Sequence, residues 1–307
     1  MSIAAALGDV QRDNLQGSPQ PQRRGRFVPY LLMLPGLLWL GVFFVVPLVT
    51  LFMMSLQTAV PGGEIGEYEQ TFHFANYVDV LTDPSYYTPL FRSFVYAACA
   101  TVLALLIGYP LAYFIAFKSG RFRNLFLIMV IAPFFVSFIL RTIAWRQILA
   151  DEGPVVAAMK WAGFFSDGIG GIYPSALAVV LGLTYNFLPF MTLPIYASLE
   201  RVDPKLVEAA GDLYAPAFTG FRKVTLPLSM PGVVAGTLLT FIPATGDYVN
   251  AALLGNSKNT MIGNRIDYAF LNTNDYPTAA VLSFVLMACI LAVVLVYVRR
   301  VGTEDLL

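Results

Sequence analysis

EAAGDLYAPAFTGFRKVTLP, residues 208–227, is the stretch of sequence on which the assignment of the fold depends. It contains four charged side chains, yet it connects two long charge-free stretches, residues 168–199 and 224–246. Charged residues between apolar segments of this length are typical of a connection between membrane-spanning helices. The stretch therefore predicts a helical membrane protein with a sizeable polar element on one side of the membrane.

The composition of the whole chain supports this prediction. With 57% hydrophobic and 12% charged residues among 307, the chain is too apolar for an ordinary soluble domain. A helix needs roughly 20 apolar residues to cross about 30 Å of hydrocarbon. Five charge-free stretches reach that length, and the third of six does so only if its helix continues past Arg141 to about Leu149. The stretches are 27–63, 93–117, 124–140, 168–199, 224–246 and 276–298. We predict an all-α membrane protein with six transmembrane helices, with Arg141 inside the membrane.

Lysine and arginine residues are distributed unevenly over the predicted connections. If the N-terminus is cytoplasmic, 13 of the 19 lie on the cytoplasmic side: Arg12, Arg23, Arg24, Arg26, Lys118, Arg121, Arg123, Arg201, Lys205, Arg222, Lys223, Arg299 and Arg300. Cytoplasmic segments of membrane proteins are enriched in basic side chains. We therefore expect both termini and the loop at 200–227 to be cytoplasmic. The first apolar stretch is longer than the ~7–15 residues of a signal-peptide core, so it should remain as an anchor.

These assignments divide the chain into four parts. Residues 1–27 form a basic disordered tail, and residues 28–92 form the first transmembrane helix with an external loop. Residues 93–298 form a five-helix core, and residues 299–307 form a second cytoplasmic tail. Within the core, Gly153 and Pro154 favour the start of a short helix on the membrane surface. His73, Cys99 and Cys289 have no neighbouring ligands in the sequence, so we predict neither a metal site nor a catalytic residue.

The cytoplasmic loop itself has the signals of a short helix. Asp203 followed by Pro204 is a favourable start, because Asp caps free N–H groups and Pro needs no hydrogen bond at the first helical position. Leu206, Ala210 and Leu213 recur at helical spacing and would form an apolar stripe. One interpretation is a docking helix for a partner protein. The alternative is an amphipathic helix that lies under the bilayer.

The spacing within residues 208–227 resembles the cytoplasmic coupling loop of ABC-importer permeases, E-A-A-x3-G-x9-I-x-L-P. The positions that match in residue type are Glu208, Ala209, Ala210, Leu226 and Pro227. Tyr214 stands where the family has Gly, and Val224 where it has Ile. The resemblance implies the type I ABC importer permease fold. It also implies that these residues, with Leu206 and Leu213, couple the chain to a separate ATPase.

Four further segments resemble the spermidine/putrescine permease branch of that family. They are FILRTIAW at 138–145, FIPATGDYV at 241–249, MIGN at 261–264 and NDYP at 274–277. The resemblance implies a bacterial inner-membrane permease subunit that imports polyamines. The implied partners are a second, different permease subunit, a cytoplasmic ATPase dimer, an extracytoplasmic polyamine-binding protein and membrane lipid, but no nucleic acid.

No cofactor is expected on this chain. A phosphate-binding loop needs Gly-Lys followed by Ser or Thr, and the sequence contains no Gly-Lys dipeptide. ATP and Mg²⁺ would therefore be held by the partner ATPase, and the chain itself would not be an enzyme.

Asp247 is the candidate for substrate recognition, because an ionised side chain inside a membrane segment is costly and marks a functional position. A carboxylate next to aromatic rings can replace the hydration of an ammonium group through charge-assisted hydrogen bonds and cation–π contacts. Tyr248, Tyr185 and Trp145 are the predicted aromatic partners. Arg141 is a weaker path candidate, because its charge would repel a cationic substrate. The alternatives are that Asp247 pairs with Arg141 or lies at the outer interface.

Three function classes remain open at this level. The ABC permease is favoured, with polyamines as substrate and with iron(III), thiamine or opine-type compounds as alternatives. A multispanning membrane enzyme has no paired base and nucleophile to support it. A secondary transporter would leave the coupling loop without a role and normally has more helices or repeated halves.

Overall fold

The computed structural model describes residues 28–163, 172–203, 205, 206, 208 and 216–301. The chain divides into two compact units, residues 1–51 and 52–307. The predicted tail at 1–27 and residues 302–307 of the second tail lie outside the described residues.

The described elements are mostly helical. The helices are α1 (Val28–Leu40), α2 (Val46–Ser55), α3 (Ala75–Thr82), α4 (Pro84–Phe117), α5 (Arg123–Ile131), α6 (Phe138–Ile148), α7 (Pro154–Trp161), α8 (Ala176–Glu200), α9 (Ala217–Gly220), α10 (Leu226–Thr245), α11 (Val249–Leu254), α12 (Ile262–Asp267) and α13 (Tyr276–Val301). Short 3-10 segments cover Gly120–Phe122 and Ala132–Phe135, and π-helical segments cover Gly41–Val45, Phe221–Thr225 and Tyr268–Asn272.

Two short strands, β1 (Gln57–Ala59) and β2 (Tyr68–Gln70), form an antiparallel hairpin in which Thr58 faces Glu69. The all-α prediction missed this hairpin, because three-residue strands are too short to produce a recognisable alternation.

Five described helices are long and apolar enough to cross a membrane: Tyr30–Ser55, Pro84–Phe117, Ala176–Glu200, Ala217–Thr245 and Tyr276–Arg300. The side chains from Tyr30 to Leu40 in the first of these helices are all exposed. A mainly helical chain with at least five potential spans is therefore confirmed.

The second span begins earlier than the sequence indicates. The predicted boundary at Ser93 lies inside α4, which begins at Pro84. Arg92 ends the charge-free stretch, but the start of the helix is set by Asp83, whose Oδ1 accepts a 2.7 Å hydrogen bond from the Ser85 N–H. The helix therefore begins well before its charge-free part.

The third predicted span is not one straight helix. Gly120–Phe135 and Phe138–Ile148 meet at an angle of 98°. At the break Val136 is extended and Ser137 is not helical, just after a 3-10 turn that contains Pro133. The limbs are about 24 Å and about 17 Å long at 1.5 Å per residue, so neither crosses a bilayer alone. The prediction of a continuous helix past Arg141 is therefore wrong at the break, although α6 does extend to Ile148.

The core of the second unit is a bundle of α4, α8 and α10. Gly232 and Gly236, one turn apart on α10, allow the backbones of α8 and α10 to approach closely. A Cβ atom at Gly232 would lie 2.5 Å from the Pro194 carbonyl oxygen, and one at Gly236 would lie 2.9 Å from that of Met191. This small-residue spacing is a common contact between membrane helices. Helices α6, α11 and α12 pack against α8 or α4 of this bundle. Of the candidate substrate residues, Arg141 and Trp145 lie on α6, Tyr185 lies on α8, and Asp247 and Tyr248 lie between α10 and α11.

Candidate functional site

The predicted coupling loop begins with a helical turn that Asp203 caps. Asp203 Oδ1 accepts a 2.9 Å hydrogen bond from the Lys205 N–H, so the predicted Asp203 cap is confirmed, whereas Pro204 lies outside the described residues. Leu206 and Glu208 are helical and exposed, and no hydrogen bond or ion pair joins Glu208 to another described residue. The other predicted coupling residues before Pro216, which are Ala209, Ala210 and Leu213, lie outside the described residues.

The loop ends at Leu226 and Pro227, the first residues of α10. Pro227 is exposed, and Leu226 is half-buried. Because the helix runs without a break from Ala217 to Thr245, Pro227 lies in its interior, directly after the π-helical segment, where the N–H group it lacks removes one helical hydrogen bond. Arg222 and Lys223, on the π-helical segment just before, are also exposed. The end of the loop therefore presents a basic surface next to Pro227.

A polar cluster that the sequence analysis missed fixes the helix leading into the loop. Arg123, at the start of α5, forms an ion pair with Glu200 and donates a hydrogen bond to Tyr196 Oη, both near the end of α8. Its guanidinium also lies 5.0 Å from the centroid of the Tyr196 ring. Because Glu200 is half-exposed, we assign the cluster a positioning role and little stability.

Asp247 lies in the break between α10 and α11 and is buried, with 9% of its surface exposed. Its Oδ1 accepts a 2.7 Å hydrogen bond from the Asn250 N–H, and its Oδ2 accepts one of 3.2 Å from Asn250 Nδ2. These contacts are those of a residue that caps a helix. Both carboxylate oxygens of Asp247 are therefore engaged by the first turn of α11.

Asn250 extends this contact into a buried polar network. Its Oδ1 accepts hydrogen bonds from Asn186 Nδ2 at 3.1 Å and from Thr142 Oγ1 at 3.5 Å. Asn186 Nδ2 also donates to Thr142 Oγ1 at 3.2 Å. All three side chains are at most 1% exposed. The network joins α6, α8 and α11 next to Asp247. Its members were not predicted because Thr142, Asn186 and Asn250 are uncharged and far apart in the sequence.

The structure brings some of the predicted aromatic partners together and not others. The rings of Trp145 and Tyr185 lie 5.3 Å apart. Tyr185 lines an apolar cavity of about 360 Å³ between α4, α5 and α8. Tyr248 lines a different cavity. The predicted aromatic partners therefore form two groups, Trp145 with Tyr185 in one and Tyr248 in the other.

Arg141 is buried, and its guanidinium lies 5.7 Å from the Phe134 ring centroid and 5.6 Å from that of Phe138. Arg141 Nε and Nη1 have no hydrogen-bond partner within the described part of the chain. No ion pair joins Arg141 to Asp247, although both residues are described. The alternative that these two side chains form a structural ion pair is therefore wrong, because Asn250 takes the place of the guanidinium.

The cavity at Tyr248 has a volume of about 310 Å³. It is lined by Gly246, Tyr248, Gly263, Ile266, Asp267, Phe270 and Leu271. Tyr248 and Phe270 are 47% and 45% exposed. Asp267 is the only acidic residue of this lining, and it was not predicted because it lies between the charge-free stretches 224–246 and 276–298.

Gly263 is required for the two walls of this cavity to meet. A Cβ atom there would lie 2.6 Å from the Gly246 carbonyl oxygen and 3.1 Å from Tyr248 Cβ. Asn264 Nδ2 donates a 2.8 Å hydrogen bond to the Tyr248 carbonyl oxygen. The start of α12 is thus held directly against the Gly246–Tyr248 backbone. Among the described residues, no group of three or more His, Cys, Asp and Glu side chains could hold a metal ion.

Residues 86–301 match the model of the family described as binding-protein-dependent transport system inner membrane component. The chain is 35% identical over 261 residues to the spermidine/putrescine transport system permease protein PotB of Escherichia coli K12, covering 85% of this chain and 93% of PotB. It is 32% identical over 290 residues to the inner membrane ABC transporter permease protein YdcU of the same organism, covering 91% of each.

Solved structures share the fold at low sequence identity. A chain of a bacterial ABC transporter for import of the acidic polysaccharide alginate superposes with a TM-score of 0.65 at 17% identity, covering 95% of this chain and 96% of that one. A chain of the MetNI methionine ABC transporter in an inward-facing conformation gives 0.51 at 16% identity, covering 72% and 94%. From the family match and the curated relatives, the chain belongs to the family of binding-protein-dependent transport system inner membrane components.

Proposed function

We propose that this chain is a permease subunit of a bacterial ABC importer that moves polyamines of the spermidine and putrescine type into the cytoplasm. The observation that carries the proposal is the 35% identity to PotB over 85% of the chain. The shared fold with chains of ABC importers supports the transport function, and the PotB relationship supports the choice of substrate.

The proposed topology has six spans in the inner membrane, with the bent pair counted as one and both termini in the cytoplasm. Counting the bent pair as one broken span gives six spans, an even number that leaves both termini on the same side of the membrane. The 13 basic residues on one side support the orientation.

The proposed docking site for the ATPase is the cytoplasmic loop. Exposed Leu206 and Glu208 are available for contact at its start, and exposed Pro227 lies at its end, next to Leu226. By the family pattern, Ala209, Ala210 and Leu213 complete the docking helix. The ATPase dimer would hold ATP and Mg²⁺. Movement of the ATPase would reach the bundle through the end of α8, which Arg123 of α5 holds in place.

The substrate path is proposed to run between this chain and a second permease subunit, past Asp247 and Tyr248 and past the Trp145–Tyr185 pair. The exposed ring of Tyr248 supports this position. Arg141 is the weakest member of the set, because its guanidinium is buried against Phe134 and Phe138.

A ligand scan of the soluble binding protein that co-purifies with the complex tests the substrate assignment. We expect saturable binding of spermidine or putrescine, and no binding of thiamine, iron(III) chelates or opine-type compounds. A binding protein that captures one of the latter and neither polyamine would refute the assignment and leave the permease fold intact.

A further inference from the structure

The cavity at Tyr248 combines two aromatic rings with a carboxylate. Tyr248 and Phe270 line it, both with nearly half of their surface exposed, and Asp267 is half-buried in the same wall. Ile266 and Leu271 supply the remaining side chains of the lining. This is the composition of a site for one organic ammonium group, because rings attract the cation and a carboxylate accepts its N–H groups.

Asp267, and not Asp247, is the carboxylate that this cavity makes available. Both oxygens of Asp247 accept hydrogen bonds from Asn250, and the residue is only 9% exposed. In the described part of the chain, no hydrogen bond or ion pair engages the Asp267 side chain. Arg265, a basic residue on the same helix, does not line the cavity. It lies two positions before Asp267 and therefore on a different face of α12.

The backbone of Tyr248 is fixed from two sides. Its carbonyl oxygen accepts the hydrogen bond from Asn264, and the close contact of Gly263 with Gly246 sets the spacing of the two backbones. The residue before it, Asp247, is held by the network of Asn250. Asp247 therefore acts as a positioning residue for Tyr248, while Asp267 is directed to the cavity.

We propose that Asp267, Tyr248 and Phe270 form a subsite for a primary ammonium group of the transported substrate. The inference rests on the proposed function, since it assumes a polycationic substrate. The Asp267 carboxylate would accept hydrogen bonds from the ammonium group, and the Tyr248 and Phe270 rings would replace part of its hydration.

The test is putrescine uptake by the complete importer in proteoliposomes, at a saturating concentration of loaded binding protein. Asp267→Asn should lower the maximal uptake rate roughly tenfold or more, since a lost charge-assisted contact of this kind corresponds to at least one factor of ten. Asp267→Glu should keep most of the rate because it keeps the charge. Glu69→Gln, in the exposed hairpin, is the matched control and should transport at the wild-type rate.

A second pair of variants tests the subsite if the importer complex with Asp267→Asn does not assemble. Leu271 lines the cavity and is 66% exposed, so Leu271→Lys should abolish uptake by repulsion, while Leu271→Gln, which adds no charge, should lower it far less. Binding-protein-stimulated ATP hydrolysis should persist in all variants, so that fewer putrescine molecules enter per ATP.

Equal uptake rates for Asp267→Asn and wild type, or for the two Leu271 variants, would overturn the subsite alone. Loss of uptake in both Asp267→Asn and Asp267→Glu would also overturn the subsite, because a structural role of Asp267 would then explain both losses. A wild-type complex that moves no polyamine at all would overturn the proposed function and the subsite together.

Discussion

Replacing Asn250 by Leu should destabilise the fold beside the candidate site. The side chain of Asn250 donates to Asp247 Oδ2 at 3.2 Å and accepts from Asn186 Nδ2 at 3.1 Å. Leu has a similar size but no polar atom, so Asp247 and Asn186 would each lose their hydrogen bond to this side chain. No water could replace these bonds, because Asn250 is 0% exposed. The backbone hydrogen bond from the Asn250 N–H to Asp247 Oδ1 would remain.

The magnitude follows from the two groups that are left unpaired. A buried hydrogen bond to a charged group contributes about 1.5–3 kcal/mol, and an unsatisfied buried polar group costs about 1–3 kcal/mol. Asn186 keeps its bond to Thr142 Oγ1, which limits the second contribution. We therefore expect Asn250→Leu to lower the free energy of unfolding by about 3–5 kcal/mol.

The assay is reversible unfolding of the purified permease in mixed micelles, followed by far-UV circular dichroism. Asn272→Leu serves as control, because Asn272 is exposed and no hydrogen bond joins its side chain to a described residue; we expect a change of about 0.5 kcal/mol or less. A loss below about 1 kcal/mol for Asn250→Leu would refute the account of Asp247 as a residue held by a buried network.

Three further predictions concern packing, coupling and topology. Gly263→Ala should lower uptake severalfold, because its Cβ would meet the Gly246 carbonyl oxygen at 2.6 Å, whereas Gly246→Ala finds no atom nearer than 4.0 Å and should transport nearly normally; equal uptake by the two variants would contradict this packing. Glu208→Trp should insert into the membrane but retain little ATPase on affinity purification, and full ATPase retention would argue against docking at this loop. A cysteine at Ser257 should react with an impermeant maleimide added outside intact cells and one at Thr219 should not; the reverse labelling pattern would invert the topology.

The positions of most membrane helices could be predicted from the sequence, because each contains an uninterrupted apolar stretch. Their ends were predicted less well. The start of α4 depends on the Asp83 cap and not on Arg92, where the apolar stretch ends. The break at Val136 and Ser137 was missed, since no charged residue or glycine marks it and Pro133 lies three residues before it.

The candidate site was predicted only in part, because its contacts join residues that are far apart in the sequence. Asp247 could be recognised as an isolated acidic residue after a charge-free stretch. Its partner Asn250 forms hydrogen bonds with Asn186 and Thr142 on two other helices. No periodic pattern in the sequence indicates these contacts. Asp267 was missed for a related reason: only the contact of Gly263 with Gly246 places it beside Tyr248.

The most direct test of the central claim is ATP-driven polyamine uptake by proteoliposomes that contain this chain, its partner permease and the ATPase. With ATP inside and loaded binding protein outside, we expect labelled putrescine to accumulate against its gradient, and accumulation to stop when the ATPase is inactivated. An imposed proton or sodium gradient without ATP should produce no uptake. Accumulation driven by the ion gradient alone, or persisting with the inactive ATPase, would contradict the account.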